Sequence, residues 1–395
     1  MSQNYNKTLR ACYIGYIVQA IINNFAPLLF LTFHNQYGIS LSKITMLITI
    51  NFGIQLAVDF LSAYFLDKIG YRVSTVIAHV LCAVGLISLT ILPDLFPDPF
   101  PGLLTAAFLY ACGGGILEVL ISPLTEACPT ENKEKAMSLL HSFYCWGHVG
   151  VVLISTLFFN IFGIRNWKVL ALIWASVPVA NALLFLRVPI APLITDDVQE
   201  LTISELIRKR AFWIFILLML CAGACEQAVS QWASAFAEQA LGVGKTFGDL
   251  AGPMFFAVMM GTARTVYGKY GHRIDLDKFM VSSGVLCLFS YLLISLSPLP
   301  IIGLIGCGIC GLSVGILWPG TFSRASASIK GGGTAMFAYL ALAGDLGCAA
   351  GPTFVGLVSG AAGDEFRIGI LAAGIFPVLF LLSILYNKKS GLSNM

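Results

Sequence analysis

Charge is what this chain has least of. Asp, Glu, Lys and Arg make up 11% of its 395 residues, where soluble globular chains carry about 25%, so an ordinary soluble fold is excluded. It has no basic tract, and its net charge is only +3, which leaves no electrostatic footprint for nucleic acid. The N-terminus, MSQNYNKTLRACYIGYIVQ, lacks a small-residue cleavage site and runs straight into an apolar segment. It reads as an uncleaved first helix and not as a signal peptide. The eleven cysteines are odd in number, unevenly spaced and mostly within apolar segments, which argues against a disulfide framework. Cys307 and Cys310 have metal-pair spacing but no second pair, so they read as small residues packing a membrane helix. GCGICG (306–311) has the spacing of a dinucleotide fingerprint without a preceding strand. GVGKT (242–246) is an incomplete phosphate loop, with Gln239 where Gly is needed. The sequence thus gives no reason to expect a cofactor, ATP hydrolysis or an enzyme active site.

What is present is hydrophobic length: 57% of residues are apolar. A membrane span needs about 20 of them in a row. Twelve such segments are expected, near 10–33, 41–66, 73–93, 101–127, 134–160, 166–187, 210–238, 247–268, 278–297, 299–323, 333–360 and 366–386. The fold class is therefore an all-α membrane protein. The polar segment ITDDVQELTISELIRKR splits the spans six and six. That gives bundles at 1–188 and 210–395 with a part-helical linker, 189–209, between them. On the side of both termini lie 17 Lys and Arg, against five on the other side. This bias places both termini in the cytoplasm.

The halves repeat. FLDKIGYR (65–72) matches VYGKYGHR (266–273) at an offset of 201, and GHVG (147–150) matches GDLG (344–347) at 197. Gly115 and Pro123 match Gly311 and Pro319 at 196, and YGIS matches LGVG at 204. Ordered matches at nearly constant offset indicate duplication of a six-span unit, a common transporter design with a site near the midplane.

AYFLDKIGYR (63–72) resembles the loop signature of the major facilitator superfamily through Asp67, Lys68, Gly70 and Arg72, with Ala63 in place of the usual Gly. The second copy has Gly268 at the acid position. The resemblance implies two pseudo-symmetric six-helix bundles around a central cavity, working by alternating access. A narrower resemblance is to the fucose permease-like sugar–proton symporters. It rests on Leu117–Glu118 followed by Pro123 in span 4, Trp318–Pro319 in span 10, Arg264 in span 8 and the span 11 stretch 334–363. It implies proton coupling at Glu118. Span 1 departs from that group: Asn23 and Asn24 align with its Asn pair, but Pro27 stands where the group has an acid.

Glu118 follows 19 consecutive uncharged residues, 99–117. A carboxylate at mid-bilayer costs at least ~2.5–3.5 kcal/mol on insertion scales, so it needs a cavity or a partner. A buried carboxyl that exchanges between neutral and charged forms suits proton coupling. Asp59, with Gln55 one turn earlier, partners Glu118, replaces the missing span 1 acid or serves as interhelical glue. His141, Tyr144, Cys145 and His148 form one stripe on span 5, where the histidines relay protons or pack. In span 7, Glu226, Gln227, Gln231 and Trp232 offer amides and an indole to a polyol. Asn23, Asn24, Trp318 and Asp345 complete the candidate substrate residues, with Asp345 facing the cavity or pairing with Arg264. Asp67, Lys68, Arg72 and Arg264 are expected at a cytoplasmic gate. The expected partners are a sugar or polyol, H+ and the lipid bilayer, for a monomer in the cell membrane. Proton-driven efflux of amphipathic compounds, Na+ coupling and uncoupled diffusion stay open as alternatives. The absence of a Gly-Pro motif in span 5 weighs against efflux.

Overall fold

The structure, a computed structural model, describes residues 5–129, 133–191, 201–270, 274–330 and 332–389. Regular structure among the described residues is helical throughout. In chain order the long segments are α1 (Asn6–Tyr37), α2 (Leu41–Ile69), α3 (Tyr71–Leu95), α4 (Pro99–Ala127), α5 (Lys133–Phe162) and α6 (Trp167–Phe185). The second set is α7 (Arg210–Ala240), α8 (245–270), α9 (Leu276–Leu296), α10 (Pro300–Ser328), α11 (Gly333–Ala361) and α12 (Phe366–Asn387). Among the described residues, eleven are long and apolar enough to cross a membrane. The remaining one, α8, is helical from end to end, and Arg264 within it lowers its hydropathy.

The chain divides into two compact units, Met1–Thr195 and Asp196–Met395. Ahead of α7 lies a short helix, Ile203–Arg208, started by a capping box. Thr202 N–H donates to Glu205 (2.8 Å) and Thr202 Oγ1 accepts from Glu205 N–H (3.4 Å), so two orphan donors of the first turn are satisfied. The Thr202 N–H bond holds the Glu205 carboxyl below its usual range.

Each unit wears its hydrophobicity outward. Ile154, Leu183, Val285, Leu357 and Leu382 are exposed, while Gln19, Asn23, Gln55, His79, Asn181, Glu226 and Gln227 are buried. Lipid solvates the former, and the interior must supply hydrogen bonds for the latter. At one end of the first unit Lys43 pairs with Asp98 at 3.1 Å, and Lys168 pairs with Asp94.

Glycine sets how closely the helices approach. A Cβ on Gly113 would lie 2.5 Å from Ala78 O, drawing α4 onto α3, and one on Gly85 would lie 2.5 Å from Tyr110 N at the same seam. In the second unit, a Cβ on Gly347 would overlap Leu220 O, and one on Gly351 would lie 2.5 Å from Ala224 O, so α11 rests on the backbone of α7. The repeat read from sequence is present in this geometry. Gly38 and Gly242, 204 residues apart, both take φ +65° just after a broken helix, a left-handed turn that favours glycine. Gly115 packs on the backbone of Gln55, and its counterpart Gly311 packs on the backbone of Phe256.

The glycine seam gives the first test. Gly347→Ala and Gly351→Ala are each expected to destabilise the second unit by ~1–3 kcal/mol through overpacking. Gly150→Ala, where a Cβ meets nothing within 4 Å, should be neutral or slightly stabilising. Thermal unfolding in detergent compares the three, and equal midpoints would refute the seam.

Candidate functional site

In the first unit, helical spacing lines up three polar stripes. Tyr16, Gln19 and Asn23 share one face of α1. Asn51, Gln55 and Asp59 recur every four residues on α2, as do Gly114, Glu118 and Ser122 on α4. The stripes meet. Tyr16 Oη and Ser122 Oγ are 2.8 Å apart. Gln19 Nε2 donates to Glu118 Oε2 (3.1 Å) and to Gln55 Oε1 (2.8 Å). Gln55 Nε2 donates to Asn23 Oδ1 (2.9 Å), which also accepts from Asn51 Nδ2 (3.3 Å). A carboxylate only accepts, which fixes the Gln19 amide with its NH2 toward Glu118. Gln19 Oε1 is then left buried without a hydrogen bond, as is Asn51 Oδ1. Gly114 makes the room: a Cβ there would sit 3.3 Å from the amide oxygens of both Gln19 and Gln55.

Two carboxylates of this unit are neighbours. Oxygens of Asp59 and Glu118 lie within 4.8 Å of each other, and both residues are half-buried. Both carboxylate oxygens of Asp59 are buried, whereas Glu118 as a whole keeps part of its surface accessible. Beside it, α1 is broken. Its α-helix ends at Asn24, and a 3-10 turn at Ala26–Leu29 containing Pro27 follows. Asn24 Nδ2 turns back to Ala20 O (2.9 Å), so its NH2 serves the break. On α5, His148 is buried. Tyr144 is half-buried, and the exposed His141 stands edge-on to the Tyr16 ring at 5.4 Å. Arg72 Nη1 donates to Phe185 O (2.6 Å), placing a cation at the C-terminal end of α6. The side chains of Asp67 and Lys68 lie outside what the structure describes.

The second unit strings its polar groups along α7. Arg264 Nη2 on α8 pairs with Glu226 Oε2 at 3.0 Å. Gln227 Nε2 donates to Glu226 Oε1 (3.3 Å), and Gln231 Nε2 donates to Gln227 Oε1 (3.0 Å). Helix α7 also breaks, its first stretch ending at Ser230 before a π-turn at Phe236–Ala240. The break follows an amide, like the one in α1. Arg264, expected at a gate and open to pairing with Asp345, pairs with Glu226 on α7. Trp232 departs from its expected stacking role: it is fully buried, and its Nε1 donates to Pro352 O (2.9 Å), pinning α7 to α11. Trp318 is half-buried and lies on Gly344, where a Cβ would overlap the ring. Asp345, next to that glycine, is buried.

Sequence reading missed Gln19, Asn51 and Gly114, although each stands one helical turn from a residue it singled out. It also missed a cluster at the far end of α7. There Lys245 binds Glu238 (3.0 Å) and Asp249 (3.1 Å), and Ser234 Oγ donates to Asp249 (2.5 Å).

Breaking a buried ion pair from one side costs ~3–5 kcal/mol, with the lower end fitting the partly exposed Arg264. Arg264→Met should lower the unfolding midpoint clearly, and adding Glu226→Gln should restore most of the loss. A double variant no better than the single one would show that the pair is not what holds α7 and α8 together.

Comparison with known proteins agrees with this architecture. No curated protein matches the sequence. Among solved structures the chain is similar to the Escherichia coli fucose:proton symporter FucP, at 17% identity and a TM-score of 0.66, covering 97% of this chain and 99% of that one. It is also similar to a bacterial homologue of the human lysosomal transporter Spinster. In the inward-facing, unoccupied form of that protein the match has 14% identity and a TM-score of 0.76, over 98% of this chain and 99% of the other. In its occupied form the values are 13% and 0.75, over 98% of both chains. The profile of the Major Facilitator Superfamily matches residues 12–352. With its apolar helices, its two repeated six-helix units and that match, the chain belongs to the Major Facilitator Superfamily and is a multi-pass membrane transporter.

Proposed function

We propose that this transporter imports a small polar solute of the sugar or polyol class together with protons, by alternating access of its two bundles. The observation that carries the reading is the Gln19–Glu118 hydrogen bond. It ties a half-buried carboxylate directly to a row of amides, so a proton site and a hydroxyl-binding site are one structure. Amides both donate and accept, which suits a polyol. Gln227 and Gln231 supply matching groups in the second unit, and the half-buried Trp318 supplies a ring for an apolar sugar face. Asp59 takes the part of the acid absent from span 1, within 4.8 Å of Glu118. Asn23, Gln55, Glu226 and Asp345 complete the substrate residues, with His141, Tyr144 and His148 along α5. The likeness to a protein described as a fucose:proton symporter supports the same reading. The proposal includes cytoplasmic termini, on the 17:5 charge bias, in the cell membrane, with bundles at 1–188 and 210–395 and a monomer as the working unit.

A specific observation also favours a Na+ reading: two neighbouring carboxylates supply oxygen donors of the kind a hard cation takes.

Uptake in proteoliposomes separates these readings. One pH unit corresponds to 1.36 kcal/mol, so one proton per solute sustains about tenfold accumulation when the membrane potential is clamped. A panel of hexoses and polyols, first ranked by tryptophan fluorescence of the purified protein, supplies the solute. Wild type should accumulate about tenfold per pH unit, while Glu118→Gln should equilibrate only and retain exchange. Full accumulation by Glu118→Gln would make Glu118 structural, and accumulation driven by a Na+ gradient at equal pH would replace the proton.

A further inference from the structure

We propose that Gln19 is the positioning residue through which the charge on Glu118 sets the hydrogen-bond direction of the amide row Gln19–Gln55–Asn23. This rests on the reading of Glu118 as the proton site. With Glu118 ionised, the row has one polarity. Gln19 gives both N–H groups away, to Glu118 and to Gln55, and Gln55 gives an N–H to Asn23. Two acceptors remain unused in this arrangement, Gln19 Oε1 and Asn51 Oδ1, both on residues more than nine-tenths buried. Leaving a buried polar atom unsatisfied is costly, so such atoms call for a role.

Protonation supplies one. Neutral Glu118 carries an O–H that must be donated, and its bond from Gln19 loses the charge assistance that roughly doubles such bonds. Turning the Gln19 amide over brings Oε1 to the carboxyl, where it accepts that O–H. The Gln55 amide must then turn as well, because two carbonyl oxygens at the present 2.8 Å separation repel. Asn23 follows by the same rule, giving its NH2 to Gln55, and Asn51, whose Nδ2 faces Asn23 at 3.3 Å, must turn in its place so that its Oδ1 accepts from that NH2. The row ends reversed, and Asn23 offers the opposite hydrogen-bonding group at the end away from Glu118. A solute hydroxyl held there meets a different partner in the protonated and ionised states, which links solute to proton without any movement of a helix.

Titratable groups on the helices packed around α4 include Asp59 on α2, Tyr16 on α1, His141, Tyr144 and His148 on α5, and His79 on α3, whose ring bonds Thr75 O and Asn181. Asp59 is the competing acceptor. Should Glu118 O–H be donated to Asp59, the amides would keep their present direction.

Infrared difference spectra, acid minus neutral, of the purified transporter in lipid without solute decide the matter. Protein carrying 13C-glutamine is compared with unlabelled protein. A carboxyl C=O band lost in Glu118→Gln identifies the titrating group. The expected result is a glutamine side-chain amide signal that accompanies this band, shifts with the label and is lost in both Gln19→Met and Glu118→Gln. Gln55→Met, one step further along, should keep the carboxyl band and lose part of the amide signal, and it serves if Gln19→Met fails to fold. A Glu118 carboxyl band with no glutamine signal overturns the relay and leaves the proton site standing. Absence of any Glu118 carboxyl band overturns the proton reading and the relay with it.

Discussion

Hydrocarbon offers no hydrogen bonds, and most of this molecule follows from that constraint. Every amide, carboxylate and imidazole placed inside a bundle must find its partner within the protein, because a lone polar group there costs several kcal/mol. The interior of the first unit solves the problem with side chains that are both donor and acceptor. Gln19 is the joint of that solution: it contacts α2 through Gln55 and α4 through Glu118, so the placement of three helices depends on one amide.

Such contacts require helices that approach closely and yet leave backbone groups available. Glycine supplies the first condition. Gly113, Gly114 and Gly115 face, in turn, α3, the two glutamines and the backbone of α2, so one short run lets α4 serve three neighbours. Helix breaks supply the second. Both α1 and α7 lose regular α geometry just past an amide, where discontinuous helices of transporters hold their substrates and ions. That both breaks fall at corresponding places in the repeat is the mark of a shared ancestor unit.

The fold was legible in the sequence because its signals are long and repeated. Twenty-residue apolar runs, the Lys and Arg bias and matches near 200 residues apart each report the same plan. Even the span weakened by Arg264 is a full helix. The site was legible only where a residue is costly. Glu118 and Asp59 announce themselves as charges in apolar surroundings, whereas Gln19 and Asn51 are ordinary neutral residues whose importance appears only when three stripes face one another. Trp232 shows the opposite error. Its composition fits a sugar platform, but its indole N–H needed a buried acceptor and took Pro352 O. Sequence spacing gives the face of a helix and leaves open what that face touches.

The two halves share a plan and differ in how they hold their acids. Glu226 is answered by a cation, Arg264, so its charge is balanced, and protonating it would leave an arginine unpaired. Glu118 receives its hydrogen bond from a neutral amide and has a second carboxylate nearby, so accepting a proton leaves no cation behind and relieves like-charge repulsion. One acid is held by a cation, and the other by a neutral amide. The duplicated unit has therefore diverged, with an ion pair bracing α7 against α8 in one copy and an amide row joined to a carboxylate in the other. That divergence, more than the presence of buried acids as such, is the physical ground on which the proposed proton site falls in the first half of the chain.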